Sequence, residues 1–105
     1  MECRSVFITV KDAAEARNIG RKLVEEKLIA CANYFPINSI YRWKGDIEES
    51  GEFAIIAKTR AALAERLIQR VKQLHSYEVP CVVTWDIEEG NPDYLKWILE
   101  STEPQ

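Results

Sequence analysis

The sequence predicts an α+β fold of the split β-α-β, or ferredoxin-like, type. This is a β-α-β-β-α-β chain that makes one antiparallel sheet with two helices on one face, followed by a terminal helix. Three observations lead there. Short apolar runs rich in β-branched residues alternate with two stretches whose apolar residues recur at helical spacing. The turn-rich segment KGDIEESG and the Gly90-Asn91-Pro92 run fall between these stretches. The chain has 105 residues, 47% of them hydrophobic, which suits one domain (1–105) with a real core and is too apolar for a disordered segment.

Residues 6–10 (VFITV) read as the first strand. Asp12 is placed to cap the next helix, because its carboxylate can accept from the free amides of a first turn. Ala16, Ile19, Gly20, Leu23 and Val24 form that helix's apolar stripe, and it ends near Lys27. Residues 29–35 (IACANYF) read as the second strand, stopped or bent at Pro36, with SIYRW as its continuation. Residues 53–59 (FAIIAKT) are the third strand, with Phe53, Ile55 and Ala57 on one face and Ala54 and Ile56 on the other. A second helix is expected over residues 61–74, capped by Thr59 and buried through Leu63, Leu67, Val71 and Leu74. Residues 79–87 (VPCVVTWDI) are the fourth strand. Pro92 opens the final helix, where its missing amide costs little, and Tyr94, Leu95, Trp97, Ile98 and Leu99 are its expected buried residues. The tail, 102–105, is expected to be mobile.

Two helices cover one sheet face only, yet the strands are apolar on both. Phe7 opposes Val6 and Ile8, and Val83 and Trp85 oppose Val82. An uncovered apolar face of that size calls for self-association. A domain of this length buries only roughly 65% of the surface its unfolded chain exposes, so further burial between copies is useful to it. Tyr41 and Trp43 are then expected at an edge that meets another subunit.

The net charge is −3 with Lys and Arg scattered, so there is no basic stripe and no nucleic-acid partner is expected. No apolar run approaches the ~18 residues of a membrane span, and MECRSVFITV lacks a signal-peptide layout, which points to the cytoplasm. Three widely spaced cysteines, Cys3, Cys31 and Cys81, fit reduced thiols better than a disulfide framework or a zinc knuckle.

Few residues carry candidate chemistry. Asp46, Glu48, Glu49 and Glu52 do not match a calcium loop and read as a solvated hairpin loop. His75, the one histidine, lies near Tyr77 and Glu78, where it can bind a metal, exchange a proton or satisfy the last carbonyls of the helix before it. One histidine per chain does not make a zinc site, although sites shared between subunits relax that objection. Cys31 reads as a small buried hydrophobe, and Cys81 has one base close in sequence, His75, but no evident third group to orient it, so it is a poor nucleophile candidate. Lys58 closes the third strand, where its ammonium can reach solvent or lend charge to a pocket. Trp85 and Trp97 are expected to pack against the sheet face and under the final helix.

The runs LVEEKLIACANYFP, SIYRWKGDIEESGEFAIIAKT, LHSYEVPCVV and PDYLKWI, in this order and spacing, resemble the CutA family of divalent-cation-tolerance proteins over nearly the whole chain. The resemblance implies a ferredoxin-like subunit in a tight homotrimer, its sheets packed inward and its strands pairing across subunit boundaries. Tyr41 and Trp43 fall in the family's SIYxWxG motif and would serve assembly and line an intersubunit cleft. His75, Tyr77, Glu78 and Pro80 match its HPYExP motif and Lys58 its KT motif, and these positions, with Cys81, are placed around the same cleft. Ser76 stands where that motif has proline, and Cys81 where other members often carry an acidic or small residue.

The resemblance further implies a non-enzymatic protein of the heavy-metal response, with weak copper or other divalent-cation binding. His75 is the candidate ligand, and Glu78 or Cys81 lies nearby in sequence. Some members hold copper through a first-strand cysteine, which the run VFITV lacks. Two other readings compete. One is a trimeric signalling or scaffold protein like the PII proteins, taking a small molecule or a protein partner and displaying the acidic 46–52 loop. The other is an acylphosphatase-like hydrolase, which needs a phosphate cradle and an arginine directly after the first strand; TVKDAAEARN has no glycine there and places Arg17 well into the helix.

Overall fold

The computed structural model describes residues 2–104. Its elements are β1 (Cys3–Val10), α1 (Ala13–Glu25), β2 (Cys31–Trp43), β3 (Asp46–Arg60), α2 (Ala64–Leu74), β4 (Val82–Asp86) and α3 (Pro92–Ser101), with a 3-10 turn at Ala61–Leu63 ahead of α2. All neighbouring strands are antiparallel, in the order β2-β3-β1-β4. This is the α+β split β-α-β arrangement that the alternation of strand and helix patterns predicts.

One face of the sheet presents Val6, Ile8, Val10, Ile55 and Ala57. These close a core with Ala16, Ile19 and Leu23 of α1 and Leu67 and Val71 of α2. Gly20 lets α1 approach β2 closely, since a Cβ there would lie 3.3 Å from the Cβ of Ala32. Asp12 caps α1 as expected, accepting from the Glu15 amide at 2.8 Å. The far end of α1 closes as a Schellman motif. The Lys27 amide donates to Val24 O and the Leu28 amide to Leu23 O, with Lys27 in the left-handed region at φ 60° where glycine is usual. Val24 stays outside the stripe, 41% exposed. Thr59 does not cap α2. It is fully buried, and its hydroxyl donates to Leu28 O at 2.7 Å.

The opposite face carries Ser5, Phe7 and Thr9 of β1, Ala54, Ile56 and Lys58 of β3, Phe35 of β2, and Val83 and Trp85 of β4. Only one end of it is covered, where Ile98 of α3 packs with Cys3 and Ala30. Arg60 anchors α3 by donating to Thr102 Oγ1 at 2.9 Å and to Leu99 O, a cation at the negative end of the helix. Tyr94 and Trp97, expected to be buried, are instead 39% and 44% exposed and stack on each other. Trp85 is 48% exposed on the open face. Amphipathic spacing identifies the residues of α3 suited to burial, but the described residues cover Ile98 fully and leave Tyr94 and Trp97 over a third exposed.

Two further expectations are corrected. Pro36 neither stops nor bends β2, which runs through it in register with Phe53. β2 is an edge strand, so a missing amide on its outer side breaks no ladder bond. The acidic 46–52 segment is strand, not loop. Lys44 and Gly45, both at positive φ (49° and 88°), make a two-residue turn, and residues 37–43 pair with 46–52 in one continuous ladder. Because β1 pairs with β3 only from Phe53 onward, this ribbon projects beyond the sheet by roughly 20 Å. It stretches the subunit to 44 × 26 × 21 Å.

Candidate functional site

The overhanging ribbon faces the 75–81 segment that joins α2 to β4. That segment is held by a chain of polar contacts beginning at His75, which is 9% exposed. Its Nε2 donates to Thr9 O at 2.7 Å, at the end of β1, and its Nδ1 accepts from the Tyr77 amide at 3.0 Å. Only the Nε2–H tautomer satisfies both bonds. The ring therefore ties the helix end to β1 rather than serving the helix's own last carbonyls.

Glu15, at the start of α1, holds the neighbouring residue, accepting from the Ser76 amide at 3.0 Å and the Lys11 amide at 3.1 Å. Burial alone would raise its pKa, but these donors outweigh it and hold the carboxyl below its ordinary range. Tyr77 then crosses to the ribbon, where its hydroxyl donates to Glu52 Oε2 at 2.7 Å. Burial first, and the Glu52 carboxylate second, push the phenol's pKa well up.

Between ribbon and segment lies a groove of about 870 Å³. Of the residues expected around a cleft, Tyr41, Trp43, Tyr77, Glu78 and Cys81 line it together. At its mouth the Lys44 ammonium lies 5.4 Å from the Trp43 ring centroid and 3.7 Å from Glu78 Oε2. Three expected residues stand apart within the subunit. Pro80 lies between lining residues without contributing to the wall, and His75 sits behind it. Lys58 is six residues along β3 from Glu52, about 20 Å away, where it pairs with Ser5 and Cys31.

Sequence reasoning read Glu52 as part of a solvated acidic loop, whereas it is 7% exposed and a wall of the groove. Its signal was there: carried back two residues, the strand alternation of Ala54 and Ile56 puts Glu52 on the same face.

The residues present do not fit a ready-made copper or divalent-cation site. Both His75 nitrogens are engaged, leaving no lone pair for a metal. Among the described residues no three His, Cys, Asp or Glu side chains gather as a metal-binding group. The first strand does contain a cysteine, since β1 begins at Cys3 rather than Val6. Its thiol is buried against Leu95 O at 3.7 Å, six residues along β1 from the Thr9 carbonyl that holds His75 and about 20 Å from it.

Residues 4–101 match the family described as CutA1 divalent ion tolerance protein. The chain belongs to that family. It is 46% identical over 98 residues to the divalent-cation tolerance protein CutA of Thermus thermophilus, covering 92% of this chain and 95% of the relative. It is 43% identical over 97 residues to that of Pyrococcus horikoshii, covering 92% and 95%. Among solved structures, CutA1 from Oryza sativa superposes with a TM-score of 0.95 at 35% identity, covering all of this chain and 97% of that one. The periplasmic divalent cation tolerance protein CutA from Archaeoglobus fulgidus superposes with a TM-score of 0.94 at 42% identity, covering 96% and 99%. The CutA1 fold thus accounts for the whole sheet, the long hairpin and all three helices of this chain.

Proposed function

We propose that this CutA1-family chain works as a cytoplasmic, non-enzymatic homotrimer in the response to heavy metals, acting through its groove rather than through a preformed His75 metal site. The observation that carries the reading is the uncovered face of the sheet. Phe35, Val83 and Trp85 are 39%, 49% and 48% exposed there, and Ile40 and Ile47 are 71% and 67% exposed on the overhanging ribbon. Apolar side chains set this way on a sheet face and on a projecting two-stranded ribbon suit burial between copies. The open edges of β2 and β4 suit strand pairing across a boundary. Closed cyclic symmetry uses both features at once. Three free cysteines, two of them only partly buried, support a reducing compartment.

The test is complementation of a copper-sensitive bacterial strain lacking its own family member. The wild-type chain and His75→Gln should both restore growth in elevated copper, and Trp85→Glu, which sets a charge on the open face, should not. Rescue by a monomeric Trp85→Glu variant would overturn the trimer as the working form. Loss of rescue in a folded, trimeric His75→Gln variant would reinstate that ring as the metal ligand.

A further inference from the structure

We propose that His75 and Glu15 form a pH-sensitive latch on the 75–81 segment, closed while the ring is neutral and opened when acid charges it. The latch lies inside one subunit, so it goes beyond the functional reading above and does not depend on the assembly.

The closed arrangement has two arms. On one, the His75 ring donates from Nε2 to Thr9 O at 2.7 Å and accepts at Nδ1 from the Tyr77 amide at 3.0 Å. On the other, Glu15 Oε2 accepts from the Ser76 amide at 3.0 Å, while its Oε1 accepts from the Lys11 amide at 3.1 Å. Two consecutive amides of the segment thus hang on two titratable side chains, each 9% exposed. A proline at position 76 would have no amide to give, so the Glu15 arm exists because this chain has Ser76 there.

Protonation conflicts with the closed arrangement at one atom. Neutral imidazole offers one donor and one acceptor, whereas imidazolium offers two donors. A proton on Nδ1 sets a donor against the Tyr77 amide, which loses the bond and leaves both groups in want of an acceptor. Glu15 supplies that acceptor, because it already holds the residue next to the ring. In the open arrangement Nδ1–H donates to the Glu15 carboxylate, which gives up the Ser76 amide, and both arms release together. Tyr77 carries the hydroxyl that reaches Glu52, so release of its amide also loosens the segment's tie to the ribbon.

The other groups around the ring leave this direction unchanged. Asp12, at the start of α1, is engaged with the Glu15 amide. Lys11 before α1 and Lys72 in the last turn of α2 are exposed to solvent, which screens them. The Tyr77 ring lies 4.8 Å from that of His75, with its hydroxyl engaged by Glu52. On the sheet, Thr9 and its β3 partner Ala54 do not titrate.

The chain has a single histidine, so heteronuclear NMR of its ring nitrogens reads the latch without ambiguity. Amide hydrogen exchange, corrected for its intrinsic pH dependence, is followed alongside between about pH 8 and pH 5, the range in which imidazole changes charge. The ring should begin as the Nε2–H tautomer with the Ser76 and Tyr77 amides protected. As it protonates, both should lose protection by about tenfold in the same step, while Val6 and Ile8 in β1 keep theirs. His75→Gln, which offers a donor and an acceptor but does not titrate, should abolish the step. Glu15→Gln should move it to lower pH by removing the anionic acceptor. A ring that titrates while both amides stay protected overturns the latch, as does a ring that stays neutral throughout or an unchanged step in His75→Gln. A wild-type chain that proves monomeric counts against the assembly reading instead and leaves each of these outcomes decisive.

Discussion

The Tyr77–Glu52 hydrogen bond joins the 75–81 segment to the ribbon, alongside the exposed Lys44–Glu78 ion pair, and Tyr77→Phe removes it while keeping the ring. The bond is short, 2.7 Å, with a charged acceptor, and Glu52 is 7% exposed. Hydrogen bonds to charged groups contribute about 1.5–3 kcal/mol, and a groove open to water on one side argues for about 2 kcal/mol per subunit. Glu52→Ala provides the control, because Tyr77→Phe should cost less than about 0.5 kcal/mol once the acceptor is gone. The coupling is therefore about 2 kcal/mol. It is measured by urea unfolding of the four proteins at one fixed subunit concentration, since association makes stability concentration-dependent. An equal cost of Tyr77→Phe in both backgrounds would refute the bond's role and with it the account of what holds the groove together.

Three further outcomes follow from the geometry. Lys27→Gly should stabilise the fold by about 1 kcal/mol, because glycine meets no Cβ penalty in the left-handed conformation that Lys27 occupies, and a rise in the urea midpoint would show it. Thr59→Val should cost about 1–2 kcal/mol, since it keeps the shape and leaves the Leu28 carbonyl without its buried donor; an unchanged midpoint would contradict this. The stability–pH profile should fall off on both sides. Glu15 has a folded pKa below its unfolded value, so its contribution is present above the unfolded value and is lost as pH falls through the folded one. Tyr77 is shifted up by burial and Glu52, and Tyr94 is pushed up to about 12 by its contact with Cys31 and by burial. Their contributions are complete below about pH 10 and lost as pH rises through the folded values. Glu15→Gln should flatten the acid limb and Tyr77→Phe should reduce the alkaline one.

Much of the fold is legible in the sequence because it rests on local rules. The periodicity of Ile19, Leu23, Leu67 and Val71 places α1 and α2 on one face, and Asp12 and Pro92 mark helix starts by their capping chemistry. The misreadings have non-local causes. Pro36 looks like a breaker until the sheet order puts β2 at an edge. The acidic 46–52 run looks like a loop because its charge obscures the pairing that the Lys44-Gly45 turn imposes. Tyr94 and Trp97 have core chemistry, and the spacing of α3 does not reveal that the chain leaves them over a third exposed, whereas the exposure of Trp85 follows from a strand that is apolar on both faces.

The candidate site divides the same way. Tyr41, Trp43, Tyr77 and Glu78 are recognisable by motif, and with Cys81 they line one groove within the subunit. The part played by Glu52, the engaged nitrogens of His75 and the distance of Lys58 depend on tertiary geometry.

The central claim, that this sheet face is covered by two further copies of the chain, is tested most directly by sedimentation equilibrium at micromolar concentration under reducing conditions. Wild-type protein should sediment as one species of three times the 12.1 kDa chain mass, and Trp85→Glu should shift it toward that of the single chain. A wild-type species at 12.1 kDa, or a trimer indifferent to a charge at Trp85, would contradict the account.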